Sequence, residues 1–491
     1  MGKTINVNGI RLEQIAPYVW EIPPIEDMLV PGRIYGDRET IDHLVEDVRA
    51  GKEWNALRQI VNVAMLPGIV EASLAMADVH PGYGFPIGGV GAFDVEEGVI
   101  SMAGVGYDIN CGVRTLKTLL TQEEIADKQD KLANGLYRTV PAGLGSTGDI
   151  RLSQREIDQV LKKGARFSLE RGYGIESDLD FVEEQGCVEG ADPDAVSSKA
   201  KRRQFKQVGT LGSGNHYLEV QVVEEIYAPD AADVYGLFPN QILVSIHSGS
   251  RALGHQIGTD YIKILAQAAQ KYGIQLPDRE LACVPFRSPE GQRYYGAMNA
   301  GINCAFANRQ ALAHLARLVF QKVLRTRPED MPTLYEVGHN NAKVEYHEVD
   351  GQVRQLVVHR KGATRAFGPG WEELPERYRA VGQPVLVGGT MGTASFILHG
   401  TQLGMEATFG SALHGAGRVM SRRQAKRNYW GEDVMKDLRA EGIIIRAHSK
   451  AGVAEEAPGA YKDVEQVVNV MHNAGIIRKV ARMRPWICVK G

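Results

Sequence analysis

Residues 76–120 read MADVHPGYGFPIGGVGAFDVEEGVISMAGVGYDINCGVRTLKTLL, and they combine short apolar runs with frequent glycine. The runs at 88–93, 99–103 and 113–119 are typical of short strands. The segments 78–86 and 104–112 are typical of loops, because glycine and proline interrupt them. This stretch therefore predicts a region of strands joined by glycine-rich loops.

The segments on either side add helical patterns and further strands. Apolar residues recur at helical spacing over 38–65, 153–170, 257–272, 304–326 and 462–482, and a basic cluster at 418–427 opens a further helix that ends near 438. Runs at 217–223 and 242–246 predict strands, and 344–349 and 353–359 flank Asp350-Gly351 as the arms of a hairpin. No fixed-period repeat or Pro/Ser-rich linker divides the chain. The predicted fold class is α+β, in a single large mixed α/β domain that spans residues 1–491.

The composition is that of a globular protein and limits how the chain could hold a nucleic acid. Of the 491 residues, 44% are hydrophobic and 23% are charged, and the formal net charge is -3. Such a chain cannot hold RNA or DNA by its global charge, so a nucleic-acid site must be a local basic patch. The clusters at 199–206 and 418–427 are candidates, although a charge run is also typical of a solvated face.

Cysteine usage and hydropathy bear on the cellular setting. The five cysteines are scattered and form no Cys-x-x-Cys pair, which disfavours a disulfide framework or a structural zinc knuckle. The N-terminus has no apolar core region, and no stretch of the chain is apolar enough to span a bilayer. We therefore expect a cytoplasmic protein without a membrane partner.

A candidate metal-binding set combines one carboxylate, one thiol and three imidazoles. Asp108 and Cys111 share a glycine-flanked loop, and each of His216, His247 and His339 stands beside glycine at the edge of a strand pattern. Any one of them could be a structural residue, but together they make a ligand set for two divalent transition ions, with the thiolate able to bridge them. Mixed N/O/S ligation suits Mn, Zn, Fe or Co better than Mg. Their wide separation in the chain is typical of a catalytic rather than a structural metal site.

A second candidate site consists of glycine and small hydroxyl residues. Gly388-Gly389-Thr390-Met391-Gly392-Thr393-Ala394-Ser395 follows a strand pattern, and His414-Gly415-Ala416-Gly417-Arg418 comes after it. Backbone N–H groups in such turns can bind phosphate, although tight packing of turns also explains them. A neutral imidazole at this place could attack phosphorus, with nearby arginine and lysine stabilising the leaving pyrophosphate. The chain has no P-loop and no Lys-x-Asp-Gly motif, which disfavours a P-loop NTPase and a lysine-type ligase.

Several strings taken together resemble the RtcB family of RNA-splicing ligases over nearly the whole chain. They are 78–90 (DVHPGYGFPIGGV), 106–114 (GYDINCGVR), 212–216 (GSGNH), 247–251 (HSGSR), 414–418 (HGAGR) and the terminal 489–491 (VKG). The resemblance implies the family's α+β fold and a GTP- and Mn²⁺-dependent RNA ligase. Such an enzyme joins 2′,3′-cyclic phosphate or 3′-phosphate ends to 5′-hydroxyl ends through a histidine-GMP intermediate, in tRNA splicing and RNA repair.

The resemblance also implies roles for individual residues. Asp108, Cys111 and His216 would hold one Mn²⁺, Cys111, His247 and His339 would hold the second, and His414 would accept the guanylate. Thr390 stands where the family often has serine, and it keeps the hydroxyl. The residues expected to bind the nucleotide are Asn215, Glu219, Asn340, Thr390, Ser395, Gly415, Gly417, Tyr461 and Lys490.

The expected partner is RNA, either tRNA halves or broken RNAs. The candidates for binding its phosphates are Arg203, Arg251, Lys361 and Arg422. An activating archease is implied for some members of the family, and we expect a monomer.

Two other functions remain open from the residues alone. A dinuclear metal phosphoesterase needs only the Asp/Cys/His set, and it would require neither His414 with its glycine-rich loop nor Tyr461. A nucleotide-regulated RNA-binding protein without ligase chemistry would not require the complete set of metal ligands together with His414.

Overall fold

The structure is a computed structural model that describes residues 3–491. Its strands, in chain order, are β1 (Thr4–Val7), β2 (Ile10–Ala16), β3 (Val19–Ile22), β4 (Gly32–Tyr35), β5 (Ser73–His80), β6 (Ile87–Asp94), β7 (Val99–Ser101), β8 (Gly112–Thr121), β9 (Tyr217–Ile226), β10 (Gln241–Ser248), β11 (Cys283–Pro285), β12 (Thr333–Gly338), β13 (Asn340–Val349), β14 (Gln352–Lys361), β15 (Ala363–Arg365), β16 (Pro384–Val387), β17 (Ser395–Gly400), β18 (Ser411–Leu413), β19 (Ile444–Ala447) and β20 (Ile477–Lys490).

Helices pack around these strands. They are α1 (Arg38–Arg49), α2 (Ala56–Val63), α3 (Gln122–Ile125), α4 (Gln129–Thr139), α5 (Gln154–Lys163), α6 (Ala165–Glu170), α7 (Ser198–Gln204), α8 (Pro229–Tyr235), α9 (Arg251–Lys271), α10 (Pro289–Leu324), α11 (Gln402–Thr408), α12 (Arg422–Asn428), α13 (Gly431–Ala440), α14 (Lys450–Glu455) and α15 (Val464–Asn473). Within residues 3–491, none of the helices combines the length and the apolar character that crossing a membrane would need.

Two large sheets dominate the architecture, which confirms the α+β class. The first sheet has the order β1-β2-β3-β4-β5-β6-β14-β13, and the second has the order β12-β8-β10-β9-β20-β17-β16, with β19 parallel to β20. Most pairs are antiparallel, and many of the strands in the second sheet are buried along their whole length because helices cover the sheet. The stretch 76–120 contributes β6, β7 and β8 and so enters both large sheets.

The hairpin prediction is confirmed, with longer strands than the pattern indicated. β13 and β14 pair in register from Asn340 opposite Lys361 to Val349 opposite Gln352. Asp350 and Gly351 both have positive φ, 52° and 74°, which is the conformation that a two-residue hairpin turn favours. The far end of this hairpin carries Asn340 and Lys361 toward the candidate site.

Several helix predictions were wrong in their extent. The 38–65 pattern forms two helices, α1 and α2, and the 153–170 pattern is divided at Gly164, whose φ is positive. The region after 418 likewise forms two helices, whereas the 304–326 pattern is part of the 36-residue helix α10. The pattern at 462–482 predicted a helix, but the helix ends at Asn473 and Ile477–Lys490 is a strand. Val480, Met483 and Ile487 there are buried among strands, and this tertiary context outweighs local helical spacing.

Candidate functional site

Four of the predicted metal ligands lie at one end of four adjacent strands. Cys111 precedes β8, His216 precedes β9, His247 lies near the end of β10 and His339 follows β12. The strands are neighbours in the order β12-β8-β10-β9 and are antiparallel, so the beginnings of β8 and β9 lie beside the ends of β10 and β12. Residues far apart in sequence therefore meet at one end of these four strands.

The ligand atoms of this set form two triads that share one sulfur. In one triad, His216 Nε2 lies 2.8 Å from Asp108 Oδ2 and 3.3 Å from Cys111 Sγ. In the other, His247 Nε2 lies 3.2 Å from Cys111 Sγ and 3.2 Å from His339 Nε2. Within each triad the three ligand atoms all lie within 4.8 Å of one another. Cys111 belongs to both, which is the geometry of a bridging thiolate.

The protonation preferences of these groups fit divalent cations. His216 Nδ1 donates to the carbonyl of Leu211 at 2.9 Å, which leaves Nε2 as the ring atom that faces Asp108 and Cys111. Burial lowers the pKa of His247 and of His339 well below the usual range, which keeps both rings neutral. Electron-pair donors therefore converge in both triads, and a cation between them would satisfy all of them.

The loop that carries Asp108 and Cys111 is held by its neighbours. The His339 N–H donates to the Cys111 carbonyl at 2.8 Å, and the Asn340 side chain donates to the Asp108 carbonyl at 3.1 Å. A Cβ atom at position 249 would collide with the carboxylate of Asp108, so glycine is required there. These contacts fix the ligands before any ion binds.

The buried guanidinium of Arg309 joins the loops that carry two of the ligands. Arg309 Nη1 donates to the carbonyl of Asn110 at 2.6 Å and to the carbonyl of Ser248 at 2.8 Å, and its Nε donates to Glu336 at 2.8 Å. Asn110 precedes Cys111, and Ser248 follows His247. Arg309, held by its ion pair with Glu336, therefore helps to keep the loops that carry Cys111 and His247 in place.

His414 lies beside the second triad, with its ring centroid 4.7 Å from that of His339. Asp78, which is fully buried on β5, accepts from the His414 backbone N–H at 3.0 Å and from the ring Nδ1 at 2.7 Å. Because a carboxylate accepts, Nδ1 carries the proton and Nε2 carries the lone pair. Asp78 thus fixes the orientation of the His414 ring beside the second triad.

The two glycine-rich segments lie side by side near His414. Gly388 and Gly415 form a parallel bridge, and Gly417 adopts a φ of 76° where a Cβ atom would collide with the backbone of Asp78. Close approach of backbone to backbone therefore requires glycine at 417. Gly388, Gly389, Gly415 and Gly417 all line the cavity, and because they carry no side chains they leave room for a ligand close to the backbone.

A buried carboxyl and a lysine lie close together on neighbouring strands of the second sheet. Glu219 pairs with Cys488 across β9 and β20, and Lys490 pairs with Tyr217 two residues away. Burial raises the pKa of Glu219 to about 7, although hydrogen bonding from Gln221 and the charge of Lys490 oppose the shift. Lys490 Nζ donates to the Gly214 carbonyl at 3.2 Å. The two strands therefore place a buried acceptor and a cation near each other in the lining of one cavity.

Tyr461 contacts an arginine and a buried glutamate. Arg418 Cζ lies 4.7 Å from the centre of the Tyr461 ring, and Arg418 also donates to the Tyr461 hydroxyl at 2.8 Å. Buried Glu456 accepts from Arg418 and from Arg422, in each case at 3.3 Å, and from the Tyr461 hydroxyl. Burial alone would raise the pKa of Glu456, but the charges of Lys490 and Arg422 lower it below its usual range. Glu456 therefore fixes the positions of both arginines and the tyrosine.

A single cavity of about 390 Å³ unites most of the predicted residues. The predicted residues that line it are Asp108, Cys111, Asn215, Glu219, His247, His339, Asn340, Lys361, Thr390, His414, Gly415, Gly417, Arg422, Tyr461 and Lys490.

Four predicted residues lie outside the lining of this cavity. His216 is behind Cys111, and Ser395 is buried beneath Glu219, where its hydroxyl accepts from Gln221 at 3.1 Å. Arg251 donates to the Thr210 hydroxyl at 3.3 Å, and Arg203 is exposed on α7. Of these two arginines, only Arg203 is on the surface, whereas Arg251 is partly buried.

Sequence analysis assigned no role to two residues that the structure places at the site. Asp78 holds His414, and Glu456 holds Arg418 and Arg422. Asp78 opens one of the quoted motifs, so its position was visible although its contact was not. Glu456 stands next to Glu455 in an unremarkable stretch, and no local pattern distinguishes it.

The fold and the site together define a class of protein: a mixed α/β protein in which two candidate metal-binding triads lie beside a histidine held by a buried carboxylate and two glycine-rich loops. Residues 59–491 match the family model described as tRNA-splicing ligase RtcB. A tRNA-splicing ligase RtcB of Thermococcus kodakarensis is 52% identical over 98% of this chain and 99% of its own length. That of Archaeoglobus fulgidus is 51% identical over 99% of this chain and 100% of its own length. The chain therefore belongs to the RtcB family of tRNA-splicing ligases, which are enzymes.

Proposed function

We propose that the protein is an RNA ligase that uses GTP and Mn²⁺ to join RNA 2′,3′-cyclic phosphate or 3′-phosphate ends to 5′-hydroxyl ends, in tRNA splicing and RNA repair. The observation that carries the proposal is His414, whose Nδ1 is held by Asp78 beside two metal-binding triads in one cavity. Family membership supports RNA ligation as the overall reaction.

In the first step, His414 Nε2 attacks the α-phosphorus of GTP. The new N–P bond replaces the P–O bond to pyrophosphate, which leaves. Asp78 keeps the ring oriented by accepting from Nδ1 and stabilises the positive charge that the ring gains during the attack. Arg418 and Arg422 provide positive charge at the same cavity for the phosphates.

In the following steps, the guanylate moves to RNA. Water opens a cyclic phosphate to a 3′-phosphate, whose oxygen attacks the phosphorus on His414 and displaces the imidazole. The 5′-hydroxyl of the second RNA then attacks the activated 3′-phosphorus and expels GMP. His414 is regenerated with its Nδ1 proton still directed at Asp78.

The metal set fits two divalent cations, which we propose to be Mn²⁺. Asp108, Cys111 and His216 would hold one ion, and Cys111, His247 and His339 the other. When bound, these ions would supply Lewis-acid stabilisation of charge on the reacting phosphates.

The nucleotide end of the cavity supports a preference for guanine. Glu219 can accept from guanine N1 and N2, and adenine lacks donors at both positions. Tyr461 would stack on the base, and Lys490 lies beside Glu219. Ser395 would act through Gln221, to which both Ser395 and Glu219 are hydrogen-bonded.

The remaining predicted nucleotide ligands surround the place proposed for the phosphates. Asn340 accepts from the Gly362 N–H at 2.8 Å, and the Thr390 N–H donates to the Thr393 hydroxyl at 2.8 Å, so both loops are ordered. We propose that Asn215, Asn340, Thr390, Gly415 and Gly417 contact the triphosphate. All five line the same cavity as His414.

We propose that Arg203, Arg251, Lys361 and Arg422 bind RNA phosphates. Lys361 and Arg422 line the cavity, whereas Arg203 lies on the surface of α7. Burial lowers the pKa of Lys361 to about 7, and its Nζ donates to the carbonyls of Tyr83 and Phe85 at 2.7 and 2.8 Å. A phosphate near Lys361 would favour its charged form.

The decisive experiment is incubation with GTP and Mn²⁺ in the absence of RNA, followed by intact mass and peptide mapping. One guanylate on His414, absent from His414→Ala and absent with ATP, is the expected result. If no adduct forms with or without an added archease, nucleotidyl transfer is excluded and a dinuclear phosphoesterase becomes the better assignment. We further propose that the protein acts as a monomeric, single-domain enzyme in the cytoplasm, which size-exclusion chromatography and cell fractionation would test.

A further inference from the structure

A row of four aromatic side chains passes the cavity: its two middle members line the cavity, and its two ends are exposed. The ring centroids of Trp54 and Tyr83 are 6.4 Å apart, those of Tyr83 and Tyr107 are 5.8 Å apart, and those of Tyr107 and His255 are 5.1 Å apart. Tyr83 and Tyr107 line the cavity together with Asp108 and Cys111. We call Trp54, Tyr83, Tyr107 and His255 the aromatic row.

The aromatic row is accessible to a ligand. Trp54 is 52% exposed, His255 is exposed, and both tyrosines are only half-buried. The first two ring pairs meet edge to face, at 85° and 61°, and each uses one face of one ring. Tyr107 and His255 are stacked at 27°, so that pair covers one face of each of its two rings. Ring faces therefore remain available beside the candidate metal site.

Arginines stand at the His255 end of the aromatic row, and carboxylates lie near its two tyrosines. Exposed Arg203 donates to the side chain of Gln256, the residue after His255, at 2.9 Å, and Arg251 precedes His255 by one helical turn. Glu280 accepts from the N–H of Gly84, and it lies close enough to both tyrosines to raise the pKa of each, after the larger effect of burial. A polyanion would therefore pass along the arginine side and direct its uncharged groups at the rings.

We propose that the aromatic row stacks the nucleobases of the RNA end that enters the cavity. Flat aromatic ligands attached to a chain of phosphates match the combination of open ring faces and flanking arginines. The proposal commits to RNA rather than to a protein partner because the row is continuous with the cavity that holds His414 and the metal triads.

The aromatic row is distinct from the residues proposed to bind guanine. Lys361, whose Nζ donates to the Tyr83 carbonyl, adjoins the row. Lys490, in contrast, adjoins Glu219 and Glu456. The row therefore provides a place for RNA bases that a bound GTP need not occupy. The inference rests on the proposed ligase function and specifies how its RNA substrate is held.

The test measures binding of a fluorescently labelled single-stranded RNA with a 3′-phosphate, and of the same RNA made abasic at each of its last three positions. Tyr83→Leu and the more exposed change His255→Ala are compared with Tyr346→Leu, which alters a tyrosine that is 59% exposed on the distant part of the hairpin. We expect Tyr83→Leu to weaken binding of the intact RNA about tenfold, and the variants to bind the abasic RNA nearly as the unmodified protein does. Tyr346→Leu should bind both RNAs normally.

Two outcomes would overturn the inference. Equal weakening for intact and abasic RNA would show that Tyr83 acts on the fold rather than on a base. Unchanged affinity in both row variants would leave the row as a surface for a protein. Adduct formation with GTP and Mn²⁺ contains no RNA and tests the ligase proposal separately, so an adduct without base-dependent binding removes only the present inference.

Discussion

Asp78 Oδ2 lies 2.7 Å from Nδ1 of His414, although 336 residues separate the two in the chain. Asp78 is fully buried, and it also accepts from the backbone N–H groups of His414 and Gly415. The carboxylate therefore sets both the ring orientation and the tautomer of the proposed nucleophile.

Asp78→Asn should slow guanylate transfer to His414 by roughly 10- to 100-fold, because an amide can donate to Nδ1 and so stabilise the wrong tautomer. The measurement is the rate of adduct formation by intact mass with GTP and Mn²⁺. Asp42→Asn, at an exposed position on α1, is the control and should react at the normal rate. A normal rate in Asp78→Asn would contradict the proposed role of this carboxylate.

The affinity for GTP should rise with pH through about 7. The pKa of Glu219 is raised to about 7 by burial, and only the carboxylate, which predominates above this pH, accepts both guanine donors. Lowering the pH protonates Glu219 and weakens binding. Isothermal titration calorimetry between about pH 5.5 and pH 8.5 checks this.

The matched control for this pH dependence is Glu219→Gln. It should bind GTP more weakly at high pH, discriminate less against ATP and lose the part of the pH dependence that Glu219 causes. An identical pH profile in the variant would assign the effect to the nucleotide itself.

Cys111→Ala should abolish the stabilisation that Mn²⁺ gives to the fold. Cys111 belongs to both triads, so its loss removes a donor from each, and a ligand that no longer binds the native state cannot raise its melting temperature. The readout is the thermal shift on adding Mn²⁺. Cys283→Ala changes an equally buried cysteine in an apolar cluster and should keep the full shift. An unchanged shift in Cys111→Ala would place the metal elsewhere.

Substitution of two buried arginines, Arg309 and Arg317, should distinguish an effect on folding stability from an effect on metal binding. Arg317→Met leaves buried Asp178 without its ion-pair partner and should lower the free energy of unfolding by about 3–5 kcal/mol. Arg309→Met removes one of the two cations paired with buried Glu336, which keeps Arg114, and should also lower the free energy of unfolding. Only Arg309 also donates to the loops that carry the metal ligands. Urea denaturation and Mn²⁺ titration should therefore show a loss of stability in both variants and a loss of metal affinity mainly in Arg309→Met. Equal metal affinities would refute the supporting role of Arg309.

Arg422→Ala should weaken the binding of RNA whatever its base sequence. It should also reduce the slope of log affinity against log salt concentration by about one unit. Arg422 lines the cavity and is held by Glu456, so its guanidinium is already positioned for a phosphate. Fluorescence anisotropy at several salt concentrations measures the slope. Arg11→Ala, far from the site on β2, should leave the slope unchanged. The same slope in Arg422→Ala as in the unmodified protein would exclude a phosphate contact.

The amino-acid sequence by itself determined the chemistry of the site and the secondary structure of its most distinctive segments. Cys, Asp and His beside glycine at the ends of strand patterns predicted a metal set, because few other arrangements need those donors at those places. The Asp350-Gly351 hairpin was predictable because its turn depends on only two residues. The strand at 477–490 was not, because its local spacing suits a helix and only its neighbours in the sheet decide otherwise.

Only the tertiary structure decided which residues meet. The shared sulfur of the two triads depends on the order β12-β8-β10-β9, and strand order results from long-range pairing rather than from any local pattern. Asp78, Glu456 and Arg309 each contact site residues that lie more than thirty positions away in the chain. Such contacts leave no periodic trace in the sequence, because each depends on how whole sheets and helices pack together.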